Sequence, residues 1–226
     1  MLGSTGLIGH QIYTFFKENS EYDLFGISHK NKLQNDTILL DVTDTNKLIS
    51  QIKKLRPNHI INCIGILINE SNSDLKKAIY INAYFPHLLL KIAEEVNAKL
   101  THISTDCVFS GEKNSAYIEC DEKDGKDIYS KTKSLGEIVC KNHLTLRTSV
   151  VGPELGKDKI TILSNGQLFN WFMSQTSRVN GYTKSIWSGI TSIELAKAVK
   201  WSIEKNILGI YHLTNNQSIS KYDLLK

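Results

Sequence analysis

Gly3-Ser4-Thr5-Gly6-Leu7-Ile8-Gly9 sets three glycines at intervals of three, directly ahead of a helical run, Gly9–Lys17. The first glycine of such a loop allows a sharp turn out of a strand. The second lets backbone amides approach a pyrophosphate, and the third lets the following helix pack closely. A helix N-terminus then offers unpaired N–H groups and a positive dipole end to an anion. Thr5, Leu7 and Ile8 complete the cradle, and a dinucleotide is the ligand that suits it.

The stretches downstream fall where this loop requires them. Runs rich in β-formers at Tyr22–Ser28, Thr37–Leu40, His59–Ile64, Leu100–Ser104 and Leu144–Thr148 alternate with helical patterns, the longest being Leu75–Val96. Strands that read Ile-Ile-Asn-Cys-Ile or Leu-Thr-His-Ile-Ser, joined by helices, imply an α/β fold, a Rossmann-like doubly wound parallel sheet covered on both faces. After Pro153 the rhythm changes. Residues 1–150 are therefore expected to form the nucleotide-binding domain and 151–226 a smaller, less regular substrate-binding lobe. Both ends look cut. Only Met1-Leu2 precede the glycine loop, where a strand of about five residues is expected. The chain also stops in a helix just past Ser220, its expected N-cap.

Composition bounds the class. The 226 residues are 41% hydrophobic and 22% charged, with 27 basic and 23 acidic side chains giving +4. Such a balance calls for neither nucleic acid nor an anionic membrane, and suits a small anionic ligand. No apolar run approaches the roughly 20 residues that span a bilayer, and no signal peptide is visible. The four cysteines, Cys63, Cys107, Cys120 and Cys140, are widely spaced and form no metal-ligand pattern, so no metal is expected and a reduced cytoplasmic setting is the simplest reading.

The residue closing the second strand sorts NAD from NADP, because a carboxylate there repels a 2′-phosphate. This chain offers Ser28-His29-Lys30 instead, so NADPH is expected, with NADH as the allowed alternative. Asp41 and Val42 close the third strand, where an adenine amino group is met; Asp44 reads as a helix cap. Asn62 and Gly65 end the fourth strand, with Cys63 and Ile64 between them and the glycine leaving room for a ligand, and Asn82 lies on the next helix.

Tyr129-Ser-Lys-Thr-Lys133 puts a phenol and an ammonium on one helical face. A neighbouring cation stabilises the phenolate and is expected to lower its pKa toward the working range. Spacing alone says little, since Tyr13/Lys17 and Tyr222/Lys226 share it. Tyr129 is singled out by Ser104-Thr105-Asp106 at the carboxyl end of the fifth strand, where α/β sheets bind ligands. A Thr105 hydroxyl there can hold a carbonyl oxygen while Tyr129 protonates it, an arrangement suited to hydride transfer from a reduced nicotinamide to a ketone.

Taken together, Gly3-x-x-Gly6-x-x-Gly9, Ser104-Thr-Asp-Cys-Val-Phe-Ser-Gly111 and Tyr129-x-x-x-Lys133-x-x-Gly136-Glu137 resemble extended short-chain dehydrogenases/reductases. The nearest group is that of dTDP-4-dehydrorhamnose reductase and related nucleotide-sugar reductases. Leu146-Arg147-Thr148-Ser149 and Gly209-Ile-Tyr211-His212-Leu213 are similar to that group as well. The resemblance implies a catalytic triad of Thr105, Tyr129 and Lys133, a nucleotide-sugar substrate bound between the two lobes, and NADPH-dependent reduction of a 4-keto-6-deoxy sugar. A homodimer is compatible with it.

Departures narrow the chemistry. Cys107 stands where related dehydratases carry the second carboxylate of an acidic pair, which disfavours dehydration. Related bifunctional epimerase/reductases place a cysteine base there, an alternative that needs a lowered thiol pKa. Their histidine partner is missing, because His212 lies in a strand-like run and reads as structure. A rival of another class is a docking subunit such as the regulatory subunit of methionine adenosyltransferase, which resembles the same family. In the second lobe Trp171, Trp187 and Arg178 can stack on a base or pair with a pyrophosphate, although Leu168, Trp171 and Phe172 at helical spacing read as core. Lys157, Lys159 and Lys184 read as solvated.

Overall fold

The computed structural model describes residues 1–154 and 167–226, so Lys157 and Lys159 lie outside the described residues. Helix α1, Leu7–Asn19, begins two residues earlier than the glycine spacing suggests. It is followed by β1 (Ile27–Ser28), β2 (Ile38–Leu39), α2 (Thr45–Leu55) and β3 (His59–Asn62). The helical stretch expected over 75–96 is preceded by α3 (Ile68–Ser73) and divides into α4 (Leu75–Ala78), a π-helical turn (Ile79–Tyr84) and α5 (Phe85–Glu95). Then come β4 (Lys99–Thr105), a 3₁₀ turn (Asp106–Val108), α6 (Ile128–Leu135), β5 (Leu144–Thr148) and β6 (Val150–Val151). The last elements are α7 (Leu168–Met173), β7 (Ile186–Trp187), β8 (Ile190–Thr191), α8 (Ser192–Glu204), β9 (Gly209–His212), β10 (Ile219–Ser220) and α9 (Lys221–Leu224).

All pairings in the main sheet are parallel. β3, β4, β5 and β9 form one run and β1 pairs with β2. The segment Met1–Gly3 joins the two: Leu2 bridges Ile27 on one side and Asn62 on the other. Its N–H donates to the Ile61 carbonyl at 2.8 Å, and the Gly3 N–H to that of Ile27 at 2.9 Å. The strand expected over 22–28 is paired only toward its end, at Ile27–Ser28, and the Met1 amino group reaches the Phe25 carbonyl at 2.7 Å.

Alternation along the strands sends side chains to two cores. One gathers Leu2, Ile60 and Leu100 beneath Leu48 and Ile52 of α2 and Phe85 and Leu89 of α5. The other gathers Ile61, Ile103, Leu144 and Leu146 beneath Ile12 and Phe16 of α1 and Leu195 and Val199 of α8. Residues 151–226 contribute to both parts of the molecule. They add α8 and the sheet edge β9, and they form the small pairs β6–β8 and β7–β10.

One buried histidine carries a pH consequence. On β4, His102 Nδ1 accepts from Asn62 Nδ2 at 3.1 Å, and among the described residues Nε2 has no partner. Burial, followed by the Lys133 charge, holds its pKa well below the ordinary 6.5. The folded chain therefore keeps this ring neutral while the unfolded chain protonates it, so its stabilising contribution is lost as pH falls below 6.5. Urea denaturation between about pH 7.5 and pH 5 is expected to show stability falling with acid, and His102→Gln to flatten that slope by up to ~1.4 kcal/mol per pH unit.

Candidate active site

The glycine loop is built as its spacing implies. Gly3 has φ +79°, a left-handed value that disfavours other residues. A Cβ on Gly9 would lie 1.9 Å from the Gly3 carbonyl oxygen, so α1 can start against the strand end only with glycine there. A Cβ on Gly6 would meet only the Gly3 carbonyl oxygen, at 3.5 Å, which leaves the approach to the helix open. Among the described residues no side chain caps α1, and its first turn holds no acidic residue. Its N–H groups and dipole are thus free for an anion, and the loop fits the pyrophosphate of a dinucleotide.

The residues around this cradle are placed unequally. Ser28 is buried and its hydroxyl donates to the Asn31 carbonyl, closing its own turn. His29 and Lys30 are exposed, and His29 Nε2 lies 3.3 Å from Asp41 Oδ2. That carboxylate also accepts from the Thr43 N–H at 2.9 Å and its hydroxyl at 2.8 Å, which holds its pKa down. Val42 is buried. Cys63 is half-buried, and burial pushes its thiol up to about 12. Ile64 is half-buried and Gly65 is open.

Asn82 has a different part from the expected cofactor contact. In the wide π-helical turn its Oδ1 accepts from the Ile66 N–H at 2.9 Å while Nδ2 donates to the Ile66 carbonyl at 3.0 Å. Nδ2 also lies 3.4 Å from Thr132 Oγ1, on α6. The side chain therefore braces the loop after β3 against the helix that carries Tyr129 and Lys133.

Tyr129 and Thr105 come together at the carboxyl end of β4, and Lys133 lies one turn further along α6 with its Nζ on the Ile103 carbonyl. Asp127 caps α6 by accepting from the Ser130 N–H at 2.7 Å. Tyr129 and Lys133 are both buried, and a Cβ on Gly65 would lie 3.9 Å from Lys133 Nζ. Thr105, the last residue of β4, accepts from the Cys107 N–H at 3.2 Å and donates to Asp106 Oδ1 at 3.4 Å, and the Tyr129 side chain bonds to it. The expected acidification of Tyr129 by Lys133 is not what the geometry gives. Burial, then the Cys107 thiol, raises the phenol above its ordinary 10, with the Thr105 hydroxyl opposing. Lys133 donates instead to the Ile103 carbonyl at 2.9 Å, and burial draws it down to about 8 against the pull of Glu137 and Cys63. Tyr129 thus rests as a protonated phenol, the form a proton donor needs.

Cys107 is pushed up to about 11, first by burial and then by Asp106, opposite to what a thiol base requires. His212 sits on β9 with Nε2 accepting from Arg147 Nη1 at 3.1 Å, a structural place. Trp187 is buried, its indole N–H donating to Ser149 Oγ at 2.8 Å. Trp171 is exposed, not core, while Leu168 and Phe172 are half-buried and Arg178 and Lys184 exposed. The residue reading missed the buried pair of Glu137 and Arg147, although a carboxylate two places past the end of α6 was its available signal.

The model of a family described as "RmlD substrate binding domain" matches residues 1–226. The chain is 26% identical to the dTDP-4-dehydrorhamnose reductase of Aggregatibacter actinomycetemcomitans over 98% of its own length and 74% of the relative's. It is 29% identical to the methionine adenosyltransferase 2 subunit beta of Xenopus laevis, over 98% of this chain and 68% of that one. Among solved structures, a hypothetical dTDP-4-dehydrorhamnose reductase from Sulfolobus tokodaii superposes with a TM-score of 0.85 at 25% identity, covering 99% of this chain and 79% of that one. The Bacillus anthracis dTDP-4-dehydrorhamnose reductase, in complex with NADP, gives 0.81 at 23% identity over 99% and 76%, a likeness of fold.

A thiol at about 11 is about one part in 10⁴ thiolate at neutral pH. Iodoacetamide labelling of Cys107, followed by peptide mass mapping, is expected to be slow at pH 7 and to rise about tenfold per pH unit to roughly pH 10. A plateau near pH 8 would show a poised base instead.

Proposed function

Because the chain belongs to the RmlD substrate binding domain family, we propose that it is an NADPH-dependent reductase acting on the 4-keto group of a nucleotide-activated 4-keto-6-deoxy sugar. The observation that carries this reading is the bond between Tyr129 and Thr105 at the end of β4, with Lys133 one turn along α6 and its Nζ near Gly65.

The glycine loop and the first turn of α1 would hold the pyrophosphate through backbone N–H groups, with Asp41 and Val42 near the adenine. Lys30, exposed and basic, is suited to a 2′-phosphate. When bound, the reduced nicotinamide supplies a hydride to the carbonyl carbon. The chain's own residues handle the oxygen. Thr105 donates a hydrogen bond to it and aligns it with the phenol. Tyr129, kept protonated by burial, gives its proton as negative charge develops there, and the phenolate left behind is stabilised by the Lys133 ammonium. In this reading Lys133 acts on the phenolate formed during turnover, since the resting phenol is not acidified. The raised Cys107 thiol supports reduction without epimerisation at neighbouring carbons.

The test is NADPH consumption against a panel of nucleotide-linked 4-keto-6-deoxy sugars. Tyr129→Phe is expected to lower kcat by ~10²–10⁴, with NADPH affinity measured by fluorescence titration nearly unchanged. Near-wild-type turnover in that variant refutes the assignment. No NADPH oxidation with any substrate, together with stoichiometric co-purification of a partner enzyme, would favour a docking subunit.

A further inference from the structure

The Glu137 side chain, one turn beyond Lys133, is 0% exposed. Its Oε1 accepts from Ser104 Oγ at 2.9 Å and from Arg147 Nε at 2.7 Å. Its Oε2 accepts from Arg147 Nη2 at 2.9 Å and lies 3.1 Å from Lys123 Nζ. A carboxylate removed from water is costly unless donors surround it, and here a bidentate guanidinium, a hydroxyl and an ammonium do so. The origin of those donors is informative. Ser104 immediately precedes Thr105 on β4, and the residue before it, Ile103, accepts from Lys133 Nζ at 2.9 Å. Two successive residues of β4 are therefore gripped by two side chains one turn apart. Arg147 Nη1 also reaches His212 Nε2 at 3.1 Å, so the grip is anchored on β5 and β9 as well.

Resting on the reductase reading, we propose that Glu137 is a positioning residue: clamped by Arg147, it keeps the Lys133 ammonium charged and holds α6 in register with the tip of β4. The groups that face Lys133 leave this part to Glu137. Cys63, beyond β3, is a neutral thiol at about 12, and His102 on β4 is held neutral by burial. Tyr129, one turn earlier on α6, rests as a phenol. Arg147 and Lys123 are cations gathered on Glu137 itself. Burial alone draws Lys133 down, and Glu137 is the first group opposing it.

The direct test follows the Lys133 Cε resonance by ¹³C NMR against pH in the whole chain without cofactor or substrate, with Lys133→Arg giving the assignment. Glu137→Gln is expected to move the Lys133 titration down by about one pH unit. Glu137→Gln combined with Arg147→Met removes a buried anion and a buried cation together, and is expected to move the Lys133 titration down by less than Glu137→Gln alone. An unmoved titration in folded Glu137→Gln overturns the proposal; where only the double variant folds, a titration moved upward does. A second readout is kcat against pH: the alkaline limb should move down with Lys133, and a fall in kcat with an unmoved limb marks a merely structural Glu137 and overturns it too. A chain that reduces no keto-sugar nucleotide yet shows the Lys133 shift ends the reductase reading and keeps the clamp.

Discussion

A backbone carbonyl, that of Gly3, sits where the Cβ of residue 9 would be. This contact forces α1 to begin at the end of the central strand position, directly over the crevice. With the helix so placed, its bare N–H groups face the same edge as the tip of β4, and Gly65 leaves space beside Lys133. Any larger residue at position 9 pushes helix and sheet apart, and with them the two halves of the proposed site.

The second constraint is polar. A cofactor crevice opens the sheet edge, so apolar packing alone cannot fix the loops around it. The chain uses buried amides and charges there. Asn82 ties the loop after β3 to α6 through both its oxygen and its nitrogen. Glu137 ties the end of α6 to β4 and β5. Directional bonds of this kind specify one geometry where greasy contacts would tolerate several, at the cost of leaving expensive orphans if one partner is lost.

The parts legible in the sequence are those governed by local rules. Glycine spacing announced the turn at Gly3 and the close approach at Gly9, and runs rich in β-formers announced the five strands. The tyrosine and lysine of α6 share a face because four residues make about one turn. What stayed hidden depends on contacts between distant segments. Nothing near Asn82 says that its amide will find Ile66, and nothing near Glu137 says that its carboxylate will be met by Arg147. The pKa of Tyr129 was misread for the same reason: a one-turn spacing puts the ammonium on the right face, but burial and the Ile103 carbonyl decide where the charge points. Strand lengths failed where pairing partners, rather than residue preference, limit the ladder, as at β1.

The π-helical turn over Ile79–Tyr84 has a further implication for anyone redesigning this scaffold. It makes the helix locally wider than its ideal form, and Asn82 sits within it. Regularising the segment by deleting one residue, or by filling it with strong helix formers, would improve the helix as an isolated element. The same change would rotate the amide off the loop it supports. In this protein, local perfection and a competent crevice are opposed goals, and the irregular helix is the form in which both helix and brace coexist.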